Sequence, residues 1–312
     1  MPVDGPDLDA LYELPFQRRP HPSYVEAVPG FATIKDSIVV SRGCAGGCTF
    51  CGLGLHQGKF LSSRSVDSVL KEIRTLAASD LFRGTISDLG GPTANLYGAR
   101  NGDADACKVC HRPSCLWPAI CSHLRIDEQR GIDLLRGSRA QPGVKHVFVQ
   151  SGIRMDVALR TPAYLRELVW HHVSGHLKVA PEHMHPAVLR RMRRTAGEFP
   201  AFMEKFFEES AAAGKEQYLV PYFISSFPGC TDHEMGTVEE FLRKEKWNLQ
   251  QVQDFIPLPM TGAAAMYVTG LDINSGQPIP IVRNAGARER QKRALRPQQA
   301  HRPRTGQLDT VD

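Results

Sequence analysis

From Ser37 to Val40 the chain reads Ser-Ile-Val-Val, a short β-branched run that predicts a strand. The stretch RSVDSVLKEIRTLAA follows, with Val66, Val69, Leu70, Ile73 and Leu76 at helical spacing and Ser65 placed to cap the helix. The alternation then repeats. GTISDLGG, VKHVFVQSG, GHLKVAPEH, QYLVPYFISSFPG and LQQVQDFIPLP read as further strands. Between them TPAYLRELVWHHV (Pro162 near its first turn), AVLRRMRR, FPAFMEKFFEESAAAG and DHEMGTVEEFLRKEK read as helices. Phe199, Phe202, Phe206 and Phe207 give the third of these helices a broad apolar face. Strands separated mostly by helices predict an α/β fold built on a parallel sheet, open or partly closed as a barrel.

Gly43, Gly90, Ser151, Glu182, Pro228 and Pro257 all fall just after predicted strands. In such folds the ligand site lies at the strands' C-terminal edge. The pattern gives three parts: a connector over residues 1–36, a core over 37–270 and a basic tail over 271–312. A long cysteine-rich insertion over 92–143 interrupts the core, and the tail reads as a short helix leading into a loose end.

Hydrophobic residues make up 42% of the 312 positions and charged residues 23%, which excludes a disordered chain. A net charge of +5 permits an anionic partner without arguing for one. No stretch reaches the roughly 20 apolar residues that span a bilayer, and the acidic N-terminus is unlike a secretory signal. No membrane association and a cytoplasmic location are therefore expected. There thiols stay reduced, so the eight cysteines point to metal rather than disulfides.

Seven of them fall in two groups. Cys44, Cys48 and Cys51 sit in SRGCAGGCTFCGLG, padded by glycines that let backbone amides approach a bulky group. Thiolates this close bind zinc or an iron–sulfur cluster. Zinc would need a fourth ligand, for which His56 is available. Three thiolates on a four-iron cluster instead leave one iron open for a substrate or cofactor. Cys107, Cys110, Cys115 and Cys121 have a closed count of four, which suits structural zinc or a second 4Fe-4S cluster. Such a metal would anchor an insertion that looks too polar to build its own core. Cys230 reads as a semi-buried thiol, and His183 and His185 as loop or cap residues.

The CxxxCxxC spacing, with Phe50 just before its last cysteine, resembles the signature of the radical S-adenosylmethionine (SAM) enzymes. LPFQRRPHPSY, RGCAGGCTFCGLGLHQGKFLSSRS, DLGGPTANLYG, SGIRMD, HLKVAPEH and VQDFIPLPMT are similar, in that order, to blocks of the YgiQ-type members over about residues 11 to 270. The resemblance implies a partial (β/α)6 parallel barrel. It also implies a 4Fe-4S cluster on Cys44, Cys48 and Cys51 whose open iron chelates SAM, and reductive cleavage to a 5′-deoxyadenosyl radical acting on an unidentified substrate. Gly90 and Gly91 would line the site of the methionyl amino group. Ser151, Arg154 and Glu182 would contact nucleoside or substrate, although Arg154 also has Asp156 or Glu182 as an ion-pair partner. An electron donor such as flavodoxin or ferredoxin is implied as well.

YgiQ-type chains generally carry a long domain before this core, whereas here the first cluster cysteine is already residue 44. That domain is expected to be absent or supplied by a separate chain. A competing reading is a metal-stabilised nucleic-acid-binding protein that uses the second cysteine group with Arg190, Arg191, Arg193 and Arg194. A radical SAM enzyme modifying RNA would satisfy both, and a catalytically dead remnant of a larger enzyme is a third possibility.

Overall fold

The structure is a computed structural model that describes residues 3–249 and 252–297. The basic tail from residue 298 onward lies outside the described residues. The chain divides into two compact units, Met1–Ala180 with Arg193–Pro221, and Pro181–Met192 with Tyr222–Asp312.

Most strands of the described residues are two or three residues long, and two are longer. The strands are β1 (Ser37–Val39), β2 (Ser41–Arg42), β3 (Ser62–Ser63), β4 (Thr85–Ile86), β5 (Asp88–Gly90), β6 (Arg100–Asn101), β7 (Leu124–Arg125), β8 (His146–Val147), β9 (His176–Glu182), β10 (Tyr218–Ser225) and β11 (Gln253–Asp254). β1 pairs parallel with β5, Ile38 opposite Leu89, and β4 pairs parallel with β8, Ile86 opposite Val147. Beyond the β8 pairing, Leu89 N–H donates to Phe148 O at 2.9 Å, and Val149 N–H donates to His172 O at 3.0 Å. β11, β10 and β9 follow in that order in one sheet, with β10 and β11 parallel. Every strand expected from the sequence therefore forms. Two antiparallel pairs, β2 with β3 and β6 with β7, come in addition to them. The architecture is mixed parallel and antiparallel α/β.

Helices form where the periodicity predicts them. Val66–Ala77 begins where Ser65 Oγ accepts the Ser68 N–H, and buries Val69, Ile73 and Leu76. Pro162–His171 starts on its proline. Glu198–Ala212 buries Phe199, Phe202 and Phe206, but Phe207 is 39% exposed and lies off the core face. Asp232–Lys244 opens with a reciprocal capping box between Thr231 and Glu234.

One helix has no clear signal in the sequence. Glu128–Arg139 lies between β7 and β8 and packs on both Val66–Ala77 and Pro162–His171. Its two glycines and many charges mask it. Gly131 is nevertheless needed there, because a Cβ would come within 2.9 Å of the Tyr164 ring. The N-terminal stretch also contributes a helix, Gly5–Tyr12, whose Leu8 is buried. Tyr12 stacks on the fully buried Arg64 guanidinium, 4.1 Å from its ring centre, and Arg64 pairs with Glu72.

Candidate active site

The loop that carries the first three cysteines follows β2 in the first unit. Its backbone bends through conformations that favour glycine, with Gly43 at φ 84° and Gly47 at φ 58°. A side chain has no room at either position. A Cβ on Gly43 would lie 1.8 Å from Phe60 O, and one on Gly47 would lie 2.1 Å from Pro113 O. Cys44 N–H donates to Gly58 O, Gly43 N–H to Gln57 Oε1, and Cys51 N–H to Cys48 O. Leu53 N–H reaches Cys51 Sγ at 3.5 Å.

Gly46 marks the centre of the loop. A Cβ there would sit 3.4 Å from Cys44 Sγ, 3.7 Å from Cys48 Sγ and 3.5 Å from an Arg154 guanidinium nitrogen. The sulfurs and the cation thus face a space that any side chain at Gly46 would enter. Cys44 Sγ also lies 3.9 Å from Thr93 Oγ1. Cys44, Cys48 and Cys51 are each partly exposed.

Among the described residues no group of three or more His, Cys, Asp or Glu side chains is placed to hold a metal ion. A single zinc needs its ligands converged on one centre. A four-iron cluster puts each thiolate on its own iron, so its sulfurs stand apart around a bulky core. The donor set of three thiolates and the glycine-lined space flanked by Cys44 and Cys48 fit such a cluster.

Arg154 is 5% exposed. Its Nε donates to Asp156 Oδ1 at 2.9 Å, a terminal nitrogen pairs with Asp156 Oδ2, and the other reaches Cys48 Sγ at 3.7 Å. Burial by itself would lower the guanidinium pKa. The hydrogen bonds and charge of Asp156 outweigh it, with Cys48 adding, and hold it above its usual value. Burial likewise pushes Asp156 up, and Arg154 more than reverses this, so the carboxyl lies below its usual range. Of the two partners expected for Arg154, the structure pairs it with Asp156. Burial, followed by the Asp156 charge, pushes the nearby Glu198 up to about 7.

Gly90 ends β5 and Gly91 follows it, both in tight surroundings. A Cβ on Gly90 would meet Ser151 Oγ at 2.3 Å, and one on Gly91 would meet Ser41 Oγ at 2.7 Å. Packing against those serines is thus sufficient reason for both glycines. Ser151 is fixed in turn by Asp88, which accepts its N–H at 2.9 Å and its hydroxyl. Phe50 is partly buried within the cysteine loop. Glu182 ends β9 in the second unit, with a left-handed φ of 67°.

The second cysteine group abuts the first loop. Cys115 N–H donates to Ala45 O at 2.9 Å, and Ser114 Oγ donates to Gly46 O at 2.7 Å. Lys59 Nζ donates to Cys110 O at 2.7 Å. Burial first, then the charge of Cys121, raises the Cys115 thiol, with Cys110 and Cys107 adding to the rise. The four thiols share one neighbourhood, close enough for their charges to act on Cys115. The segment is also less polar than it reads, since Cys115, Leu116 and Leu124 join Ala45, Leu96, Ala99 and Val157 in one buried cluster.

Two of the four arginines proposed for a nucleic-acid surface are spent within the fold. Arg191 pairs with Asp272, and the buried Arg194 donates to Ala180 O. In the second unit Cys230 is fully buried rather than semi-buried, 3.4 Å from His183 Nε2, and burial raises its thiol well above the usual range. Sequence reasoning singles out neither Asp88, Thr93 nor Asn95, though all three flank or follow the Gly90–Gly91 pair within DLGGPTANLYG.

Two curated relatives, both named UPF0313 protein, are similar over nearly the whole chain. One from Geobacter sulfurreducens is 48% identical over 94% of this chain and 49% of its own length. One from Shewanella oneidensis is 43% identical over 95% of this chain and 38% of its own. The chain thus spans half or less of the length of these relatives. A more distant likeness, to the radical SAM methyltransferase TsrM from Kitasatospora setae, covers 89% of this chain and 50% of that one at 15% identity and TM-score 0.49, too remote to assign chemistry. The family model described as "Radical SAM superfamily" matches residues 38–242, well over half the sequence and spanning the cysteine loop. The chain belongs to the radical SAM superfamily.

Proposed function

We propose that this chain carries the catalytic core of a YgiQ-type radical SAM enzyme, with a partial (β/α)6 barrel. Cys44, Cys48 and Cys51 would hold a 4Fe-4S cluster, and Gly90, Gly91 and Ser151 lie at or just past strand ends that suit SAM. Bound there, such a cluster would supply the one-electron reduction that cleaves SAM to methionine and a 5′-deoxyadenosyl radical. A low-potential donor such as flavodoxin or ferredoxin supplies that electron. The chain's own part is to hold three thiolates apart on a glycine-rich loop, with Phe50 within it and Thr93 and Arg154 against its sulfurs. The observation that carries this reading is the space at Gly46, flanked by Cys44 Sγ and Cys48 Sγ. The superfamily match over the same loop supports it.

Anaerobically reconstituted full chain, given SAM and a strong chemical reductant, should release 5′-deoxyadenosine without added substrate, measured by mass spectrometry. Cys48→Ala should abolish both the nucleoside and most of the iron. A fully loaded cluster that binds SAM yet never yields 5′-deoxyadenosine would overturn the reading in favour of an inactive remnant.

A further inference from the structure

We infer that Arg154 is a positioning residue that sets the reduction potential of the cluster through Cys48, an inference that rests on the reading above. Its donors are divided between two jobs. Nε and one terminal nitrogen are committed to the two oxygens of Asp156, which leaves the remaining terminal nitrogen directed at Cys48 Sγ, 3.7 Å away. The backbone is held as firmly as the side chain. Arg154 N–H donates to Asn95 Oδ1 at 2.9 Å, and Asn95 Nδ2 donates to Arg154 O at 2.8 Å. With only 5% of the residue exposed, water does little to screen this cation from the sulfur.

A reduced cluster carries one more negative charge than an oxidised one. A cation and an N–H donor at one of its thiolates therefore favour reduction, and net charge and hydrogen bonds to sulfur are among the levers that set such potentials. Asp156 works against this. Its carboxylate sits on the far side of the same guanidinium and partly cancels the cation, so the pair acts on Cys48 as an oriented dipole with its positive end toward the sulfur. Electron entry gates the proposed cleavage, so the pair would set how strong a donor the enzyme needs.

The two members of the pair should accordingly shift the potential in opposite directions. Full chain is reconstituted anaerobically as wild type, Arg154→Gln, Arg154→Lys and Asp156→Asn. Iron and sulfide per chain are measured, and the cluster is titrated by EPR-monitored reduction. Arg154→Gln should move the midpoint to more negative potential and Asp156→Asn to more positive potential, with Arg154→Lys between wild type and Arg154→Gln. Merely structural roles would lower cluster loading in both variants without opposed shifts. Shifts of the same sign, or unmoved potentials in fully loaded variants, would overturn the inference. If Arg154→Gln loses its cluster, Asp156→Asn decides alone, and an unshifted or more negative midpoint there sinks the inference. Wild type that forms no four-iron cluster at all would instead sink the reading of function on which it rests.

Discussion

The Ser114 hydroxyl donates to the Gly46 carbonyl at 2.7 Å, which ties the second cysteine stretch to the turn that carries the first. The same oxygen accepts the N–H groups of Leu116 and Trp117, at 3.0 and 2.9 Å, and Ser114 is completely buried. One side chain therefore satisfies three backbone groups and fixes the spacing between two loops.

Ser114→Ala removes all three bonds where water has little access. Buried polar groups left without partners cost roughly 1–3 kcal/mol each when fully desolvated, and backbone relaxation recovers part of that. The expected loss is about 2–3 kcal/mol in urea unfolding. Faster proteolysis around residues 107–121 and lower iron retention by the first loop should accompany it. Unaltered stability and iron content would mean that the two loops are joined by their apolar cluster alone.

Much of this is legible in the sequence because hydrophobic periodicity reports elements that bury one face. Ile38, Val69, Ile73, Phe202 and Phe206 occupy such faces, and their strands and helices form where the pattern places them. The helix Glu128–Arg139 escapes because its close packing relies on a glycine, and Gly131 reads as a breaker until the Tyr164 ring is seen against it. At the site, spacing names the three cysteines, since thiolates for one cluster must share a loop. Spacing does not predict that Arg154 turns toward Cys48, because a contact across 106 positions in sequence depends on how separate strands align. The polarity of the insertion misleads in a similar way. Its apolar residues are few, but they need no core of their own when Ala45 and Val157 supply the other wall.

Thiol reactivity should divide the cysteines by environment. In the metal-free full chain, Cys44, Cys48, Cys51, Cys110 and Cys121 are partly exposed and should alkylate readily with iodoacetamide near neutral pH. Cys107 and Cys115 are buried and should lag. Cys230 should resist until the protein unfolds, because burial disfavours its thiolate and its sulfur has no access to solvent. Peptide mapping by mass spectrometry over a time course reads each rate separately. Early labelling of Cys230 would show that the second unit opens on that timescale.

Glu198 gives the protein a pH dependence whose sign follows from its surroundings. Burial comes first and the neighbouring Asp156 charge second, and together they push its carboxyl from an ordinary 4.5 to about 7, although Arg154, Arg194 and a hydrogen bond with Thr195 pull the other way. Between those two values the folded chain keeps a proton that the unfolded chain has released. The group's contribution to stability is therefore complete below the unfolded value and is lost as pH rises through the folded one. Each tenfold gain in proton affinity is worth about 1.4 kcal/mol at most, and Glu198 is only partly buried, so screening reduces the whole effect to about 1–2 kcal/mol. Glu198→Gln mimics the protonated acid at every pH and removes the titration. Urea unfolding of cluster-free wild type and variant at pH 5, 6 and 7.5, at fixed ionic strength, cancels the groups that both share. The two should be nearly equal in stability at pH 5, and the variant should be the more stable by about 1–2 kcal/mol at pH 7.5. A difference that stays constant across the series would show that Glu198 titrates in the ordinary carboxylate range and that the Asp156 charge does not reach it.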